Sequence, residues 1–222
     1  EDGEYSGKLG ESKRILLSGT QPKTKNVLRG LAITRKFFEC YPPEPLRDDI
    51  INICLLGSLH VNGRRVPGFH DDDKYATYID VSGYEENVVL GVLHVSLSNM
   101  FVDLYSGVPR MAWRAANESG FEYPGDKDRP LSDADSHKLL PEAIKQGFLC
   151  SYGKFTLKDD LGSFARWHFV KRKELEGFAD KYPRIRKKYD IFLKFYRSLG
   201  MLKDQDKGIQ KVAAEAMKKI SE

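Results

Sequence analysis

Ile50 to Leu59 is the longest apolar stretch in the chain, broken early by Asn52. A run that is apolar nearly all round has no side to offer to water, so whatever the chain folds into must wrap around it. It is too short, and too interrupted, for the ~18 uncharged residues that cross a bilayer. No other run reaches that length, so no membrane-spanning helix is expected. Asp48 and Asp49 stand just before the run, where a helix N-terminus favours acids. With its length, they predict a buried helix starting near Leu46, a central strand being the alternative.

Around this segment the elements follow from local chemistry. Residues 1–12 are polar and Gly-rich and read as a lead-in. Lys13–Ser18 suits a strand, and Gly19–Lys23, with Pro22, a turn. Thr24 can cap a helix in which Val27, Leu28, Leu31 and Phe38 recur near the helical period. Pro42, Pro43 and Pro45 stop it by Tyr41. Asn62-Gly63 and Pro67-Gly68 mark a loop. Residues 75–82 and 89–97 each alternate apolar and polar, and 83–87 would fit a hairpin loop, which predicts two antiparallel strands. A short helix is expected within Val108–Asn117, an exposed loop over 120–135, a helix over His137–Gln146 ending at Gly147, and strand character in Phe148–Leu157. From Leu161 the pattern is helical, with Pro183 restarting it and Gly200 closing it. Ile209, Val212, Ala216 and Ile220 would share one face of a last amphipathic helix. The expected fold class is α+β: a small antiparallel sheet packed with helices in a core domain over 13–162, followed by a basic helical module over 163–222.

Composition narrows function by exclusion. With 41% hydrophobic and 31% charged residues the 222-residue chain is not wholly disordered. Cys40, Cys54 and Cys150 form no close pair, which predicts reduced thiols, a cytoplasmic or nuclear origin and no zinc site. No nucleophile elbow, phosphate loop or dinucleotide fingerprint is present. His70-Asp71-Asp72-Asp73 is the densest group of potential metal ligands, and with His60 it loosely follows the pattern of metal phosphohydrolases. A solvated acidic turn explains it more simply. Asp133, Asp135 and His137 form a D-x-D-x-H string that Ser132 or Asp135 explains as the cap of a helix beginning near His137, and His94 and His168 read as packing or surface histidines. No enzyme activity, cofactor, metal or small-molecule substrate is expected.

Charge distribution is more telling. Residues 163–203 hold 12 basic and 4 acidic groups, against 20 and 24 in residues 1–162. Lys171, Arg172 and Lys173 form one cluster; Arg184, Arg186, Lys187 and Lys188 form another. Such a segment fits an anionic partner, lipid or RNA. Nine aromatics lie among these charges, as stacking groups for bases or as the inner faces of helices. Tyr41, Pro42 and Leu46 match a Y-P-x-x-x-L peptide of the kind that viral late domains use to recruit a host budding factor, a plain linker being the alternative.

The order strand (Lys13–Ser18), amphipathic helix (Lys25–Phe38), strongly apolar element (Asp48–Leu59) and Gly/Pro loop (Asn62–Gly68) resembles the opening of rhabdovirus-type matrix proteins. Ile53-Cys54-Leu55-Leu56-Gly57-Ser58-Leu59 followed by Arg65-Val66-Pro67-Gly68 is similar in texture. The resemblance covers about a quarter of the chain. It implies a structural protein that self-associates, coats an anionic membrane from within a cell or virion and grips ribonucleoprotein. The alternatives are an RNA-binding nucleocapsid-like or ribosome-associated protein and, third, a metal-dependent hydrolase using His70 and Asp71.

Overall fold

The computed structural model describes residues 7–9, 15–46, 52–72, 74–125 and 139–202. Asp133, Asp135 and His137, most of the loop 120–135, and the tail 208–220 lie outside the described residues, as does Asp73.

The fold is α+β. A four-stranded antiparallel sheet has the order β1 (Gly7–Leu9), β2 (Ile15–Thr20), β4 (Ser58–Val61), β5 (Arg64–Arg65). A three-stranded sheet has the order β3 (Asn52–Leu56), β7 (Ala76–Asp80), β6 (Gly68–Asp71), with β3 parallel and β6 antiparallel to β7. The chain passes from one sheet to the other at Gly57, whose N–H donates to the Thr20 carbonyl at 2.8 Å. Asn62 and Gly63 both adopt positive φ (51° and 78°), the geometry a two-residue hairpin turn demands, and they join β4 to β5.

The run expected as a helix is therefore two strands, β3 and β4. The apolar side chains of β3 lie half-buried and Leu59 and Val61 of β4 fully buried, the strands pairing with β7 and β2, and Gly57 divides them. The strongly apolar helix implied by the matrix-protein resemblance is not there. The opposite correction applies to 89–97. Those residues lie inside α3 (Glu86–Leu104), of which eleven residues are buried. A helix enclosed on most sides carries apolar residues at every phase, so a period-two selection can be drawn from it without any strand. At 19 residues α3 is long and apolar enough to cross a bilayer by length and composition, contrary to the expectation above, yet most of it is buried within the protein.

The other helices are α1 (Thr24–Glu39), α2 (Pro43–Leu46), α4 (Arg110–Arg114), α5 (Pro141–Gln146), α6 (Leu157–Val170), α7 (Arg172–Lys181) and α8 (Pro183–Ser198). Gly147 closes α5 with φ of 93°, a left-handed conformation that a residue with a Cβ adopts only under strain. Phe148–Leu157 holds a 3₁₀ turn at Tyr152–Lys154 in place of the expected strand. Thr156 caps α6: its hydroxyl accepts the Asp159 N–H at 3.0 Å and donates to the Asp159 carboxylate at 2.6 Å.

One cluster of buried side chains runs from Ile33 in α1 through α3 and α6 to Leu202. The helices after residue 162 thus share the core of the helices before it, and α6 itself spans the expected domain boundary. A smaller cluster, Leu17, Leu59, Val61 and Val66, lies under the antiparallel sheet.

His94 sits at the centre of the large cluster, fully buried. The Tyr41 hydroxyl meets its Nδ1 at 2.7 Å, and Phe169 stacks on its ring at 4.6 Å. Burial, aided by His168, pushes its pKa down to about 3 from 6.5. The unfolded chain therefore takes up the proton first. Stability is complete above pH 6.5 and is lost as pH falls from there toward 3, at about 1.4 kcal/mol per pH unit for one such histidine. Urea denaturation at pH 7 and pH 5 should show this loss, and His94→Gln should make the loss smaller; an equal loss in the variant would remove His94 as its source.

Candidate functional site

The basic segment folds as the hairpin α7–α8. Each helix is amphipathic with aromatics on its inner side (Tyr189, Phe192, Phe195 and Tyr196 buried, Phe178 and Tyr182 half-buried), and α6 adds the buried Trp167 and the half-buried Phe169. Phe164 is buried in α6. These rings are inner faces, as one of the two readings had it, and are not available to stack on bases.

Much of the segment's charge is neutralised locally. Lys171 pairs with Glu174 (3.5 Å), and Arg172 with Glu176 (2.8 Å). Arg184 pairs with Glu118 (3.4 Å), and Arg186 with Asp180 and Asp190. Lys187 donates to the Ala115 carbonyl at 2.9 Å but faces no acid. Lys173, Lys181 and Lys194 are exposed and, like Lys187, make no ion pair among the described residues. Of the sequence clusters, Lys171 and the arginines are paired, while Lys173 and Lys187 make no ion pair among the described residues; Lys181 and Lys194, outside the clusters, join those two.

Lys188 is a correction. It is entirely buried, so it leaves the anion-binding set. Its Nζ donates to Asp160 Oδ2 at 2.7 Å and to the Gly147 carbonyl at 2.9 Å, and lies 3.8 Å from the centre of the Phe148 ring. The same carboxylate oxygen accepts from Trp113 Nε1 (2.8 Å) and from the Tyr123 hydroxyl (2.6 Å). Burial pulls the ammonium pKa down and pushes the carboxyl up. The donors gathered on Asp160 Oδ2 oppose that push and favour the ionised carboxylate. The sequence signal that marks Lys188 as different is its phase: it lies on the Ile185–Tyr189–Phe192 side of α8.

The peptide motif is a second correction. Tyr41 is buried and bonded to His94, so its ring is not available to a groove on a partner. Pro42 is half-buried, and Pro43–Leu46 forms the short helix α2 where docking would need an extended strand.

The hydrolase pair His70 and Asp71 does not converge. They are consecutive on β6, so their side chains leave on opposite faces. Asp71 turns to Lys74 (3.4 Å). His70 faces Asp72 at 3.5 Å, and its Nδ1 bonds the Thr77 hydroxyl at 2.9 Å. Burial lowers the His70 pKa, with Asp72 opposing. Among the described residues no three His, Cys, Asp or Glu side chains gather to hold a metal ion.

His70 does open onto a cleft of about 120 Å³ between β6, α3 and the start of α6, with Ser96, Asn99, Tyr152 and Lys158 in its wall. A second cleft of about 320 Å³ shares Asp72 and Lys158 and is lined by Arg110, Arg114 and Tyr123. Sequence reasoning found His70 and missed Asn99, Lys158, Arg110 and Arg114. Those four come from three helices, and beyond the i,i+4 pair Arg110–Arg114 no spacing in the chain links them. Comparison with protein families, with characterised proteins and with solved structures finds no match for this chain.

The two neighbouring lysines of α8 should separate by their stability. Lys188→Met leaves Asp160 charged and buried, with an expected loss of about 3–5 kcal/mol in urea unfolding. Lys187→Met should stay within about 0.5 kcal/mol. Equal losses would mean that the burial of Lys188 is not what matters.

Proposed function

We propose that this protein is a non-enzymatic, self-associating assembly protein, matrix-like in role, that adsorbs to an anionic membrane through the outward sides of α7 and α8 and bridges it to ribonucleoprotein. The observation that carries this reading is the charge left on that hairpin once its own acids are used: Lys173, Lys181, Lys187 and Lys194 face solvent without an acidic partner among the described residues. A lysine near an anionic bilayer contributes about 1 kcal/mol, and several together give reversible binding that salt weakens. Lipid is favoured over RNA as the main anion because the segment's aromatics are turned inward, leaving charge without stacking. The self-association part is supported by the outward side of α1, where Leu28, Leu31 and Phe38 are 64%, 53% and 39% exposed. Isolated exposed apolar residues are ordinary, but three along one helix are a surface that association would cover.

The test is co-sedimentation with vesicles of phosphatidylcholine containing phosphatidylserine. The wild-type chain should bind at low salt and release as salt rises. The fourfold variant Lys173→Glu, Lys181→Glu, Lys187→Glu, Lys194→Glu should lose at least tenfold in binding at unchanged thermal stability. Absence of vesicle binding, with RNA retained and a steep salt dependence, would overturn the membrane reading in favour of the RNA-binding one.

A further inference from the structure

We infer that the paired clefts around Lys158 form a binding site for a small hydroxylated molecule carrying a phosphate or carboxylate, its hydroxyl end at His70 and its anionic end at Arg110 and Arg114.

The inner cleft is polar and under-satisfied. The His70 side chain is only 8% exposed, and its buried Nε2 makes no hydrogen bond, with Asp72 Oδ1 standing 3.5 Å away. Asn99 Oδ1, in the same wall, is also buried without one. A buried polar atom left unpaired costs about 1–3 kcal/mol, so two such atoms on residues that line one small space call for a ligand or ordered solvent. The nature of the missing group follows from what these atoms can do. Asn99 Oδ1 only accepts. His70 Nε2 accepts or donates according to which nitrogen carries the proton, since Thr77 occupies Nδ1. A hydroxyl suits both, because it donates and accepts; an ammonium or a carbonyl suits one tautomer at most. Asp72 at the rim is a further acceptor.

The outer cleft has the opposite character. Arg110 and Arg114 are exposed on α4 and make no ion pair among the described residues. Arg110 is steadied by its bond to the Val102 carbonyl at 2.8 Å. Lys158 forms the shared wall and is already held by Asp103 (2.6 Å) and Asp72 (3.5 Å), which leaves the two arginines to meet an anion. Paired guanidinium groups bind phosphate and carboxylate in forked geometry. The volumes of about 120 and 320 Å³ suit a molecule of sugar-phosphate size. This site is separate from the lysines of α7 and α8, so either proposal can fail without the other.

The experiment is a titration of the full chain with ribose 5-phosphate, inorganic phosphate and ribose, followed by amide and histidine-ring NMR shifts. Ribose 5-phosphate should shift the His70 ring and bind at least tenfold more tightly than phosphate or ribose alone. His70→Asn and Arg114→Ala should each weaken it at least tenfold with the spectrum otherwise native, while vesicle binding is unchanged. If His70→Asn disturbs the fold, Asn99→Leu, which removes the acceptor at similar volume, replaces it, with the same weakening expected. No shift at millimolar ribose 5-phosphate, equal binding of inorganic phosphate alone, or binding indifferent to Arg114→Ala would each overturn the proposal.

Discussion

The ammonium of Lys188 sits where no water reaches it, and the second half of the molecule is arranged around that fact. A charge in such a place needs a countercharge and a full set of hydrogen bonds. Asp160 supplies the first from α6; the carbonyl of Gly147, freed at the end of α5, supplies another. Trp113 of α4 and Tyr123 reach the same carboxylate. Five separate stretches of chain therefore meet at one pair of atoms. Apolar packing between the same helices has no such directional demand, whereas a shift by a turn would break this set of donors and acceptors. The left-handed Gly147 belongs to the arrangement, since it turns its carbonyl inward.

A second constraint is the enclosure of α3. It lies between α1, the mixed sheet and α6, and it buries His94, Ser96 and Ser98 along with its apolar residues. Tyr41 reaches His94 from the end of α1, and Phe169 covers the ring from α6. Tyr41, two residues past the end of α1, is thus committed to the core. That commitment removes it from the linker role its Pro-rich neighbourhood advertises.

Legibility in the sequence followed the degree of burial. The half-exposed helices α1, α7 and α8 kept a polar side, so their spacing and their stops at Pro42, Pro183 and Gly200 were readable. The interior elements were not. β3 and α3 are both apolar with few polar marks, and each was assigned to the other's class, because periodicity vanishes when no side meets water. The same holds for sites. The cluster at 171–188 was visible as charge, but charge alone does not separate Lys187, bonded at the surface, from Lys188 beside it in the core. His70 stood out by its acidic neighbours, whereas the atoms that make its surroundings unusual, those of Asn99 and Lys158, come from distant positions that only folding assembles.

The enclosure of α3 also bears on how the chain comes off the ribosome. Synthesis delivers Glu86–Leu104 well before Leu157–Val170, the helix that packs most extensively along it. A nascent chain that has emerged only to about residue 150 has α1 and the mixed sheet to lay against this apolar rod, but nothing for its α6 side. Such a segment invites chaperones, neighbouring nascent chains or a translocation channel to bind in place of its native partners. Completion of the fold is thereby deferred to the last part of translation, and a stalled product of this gene is the species most prone to clump.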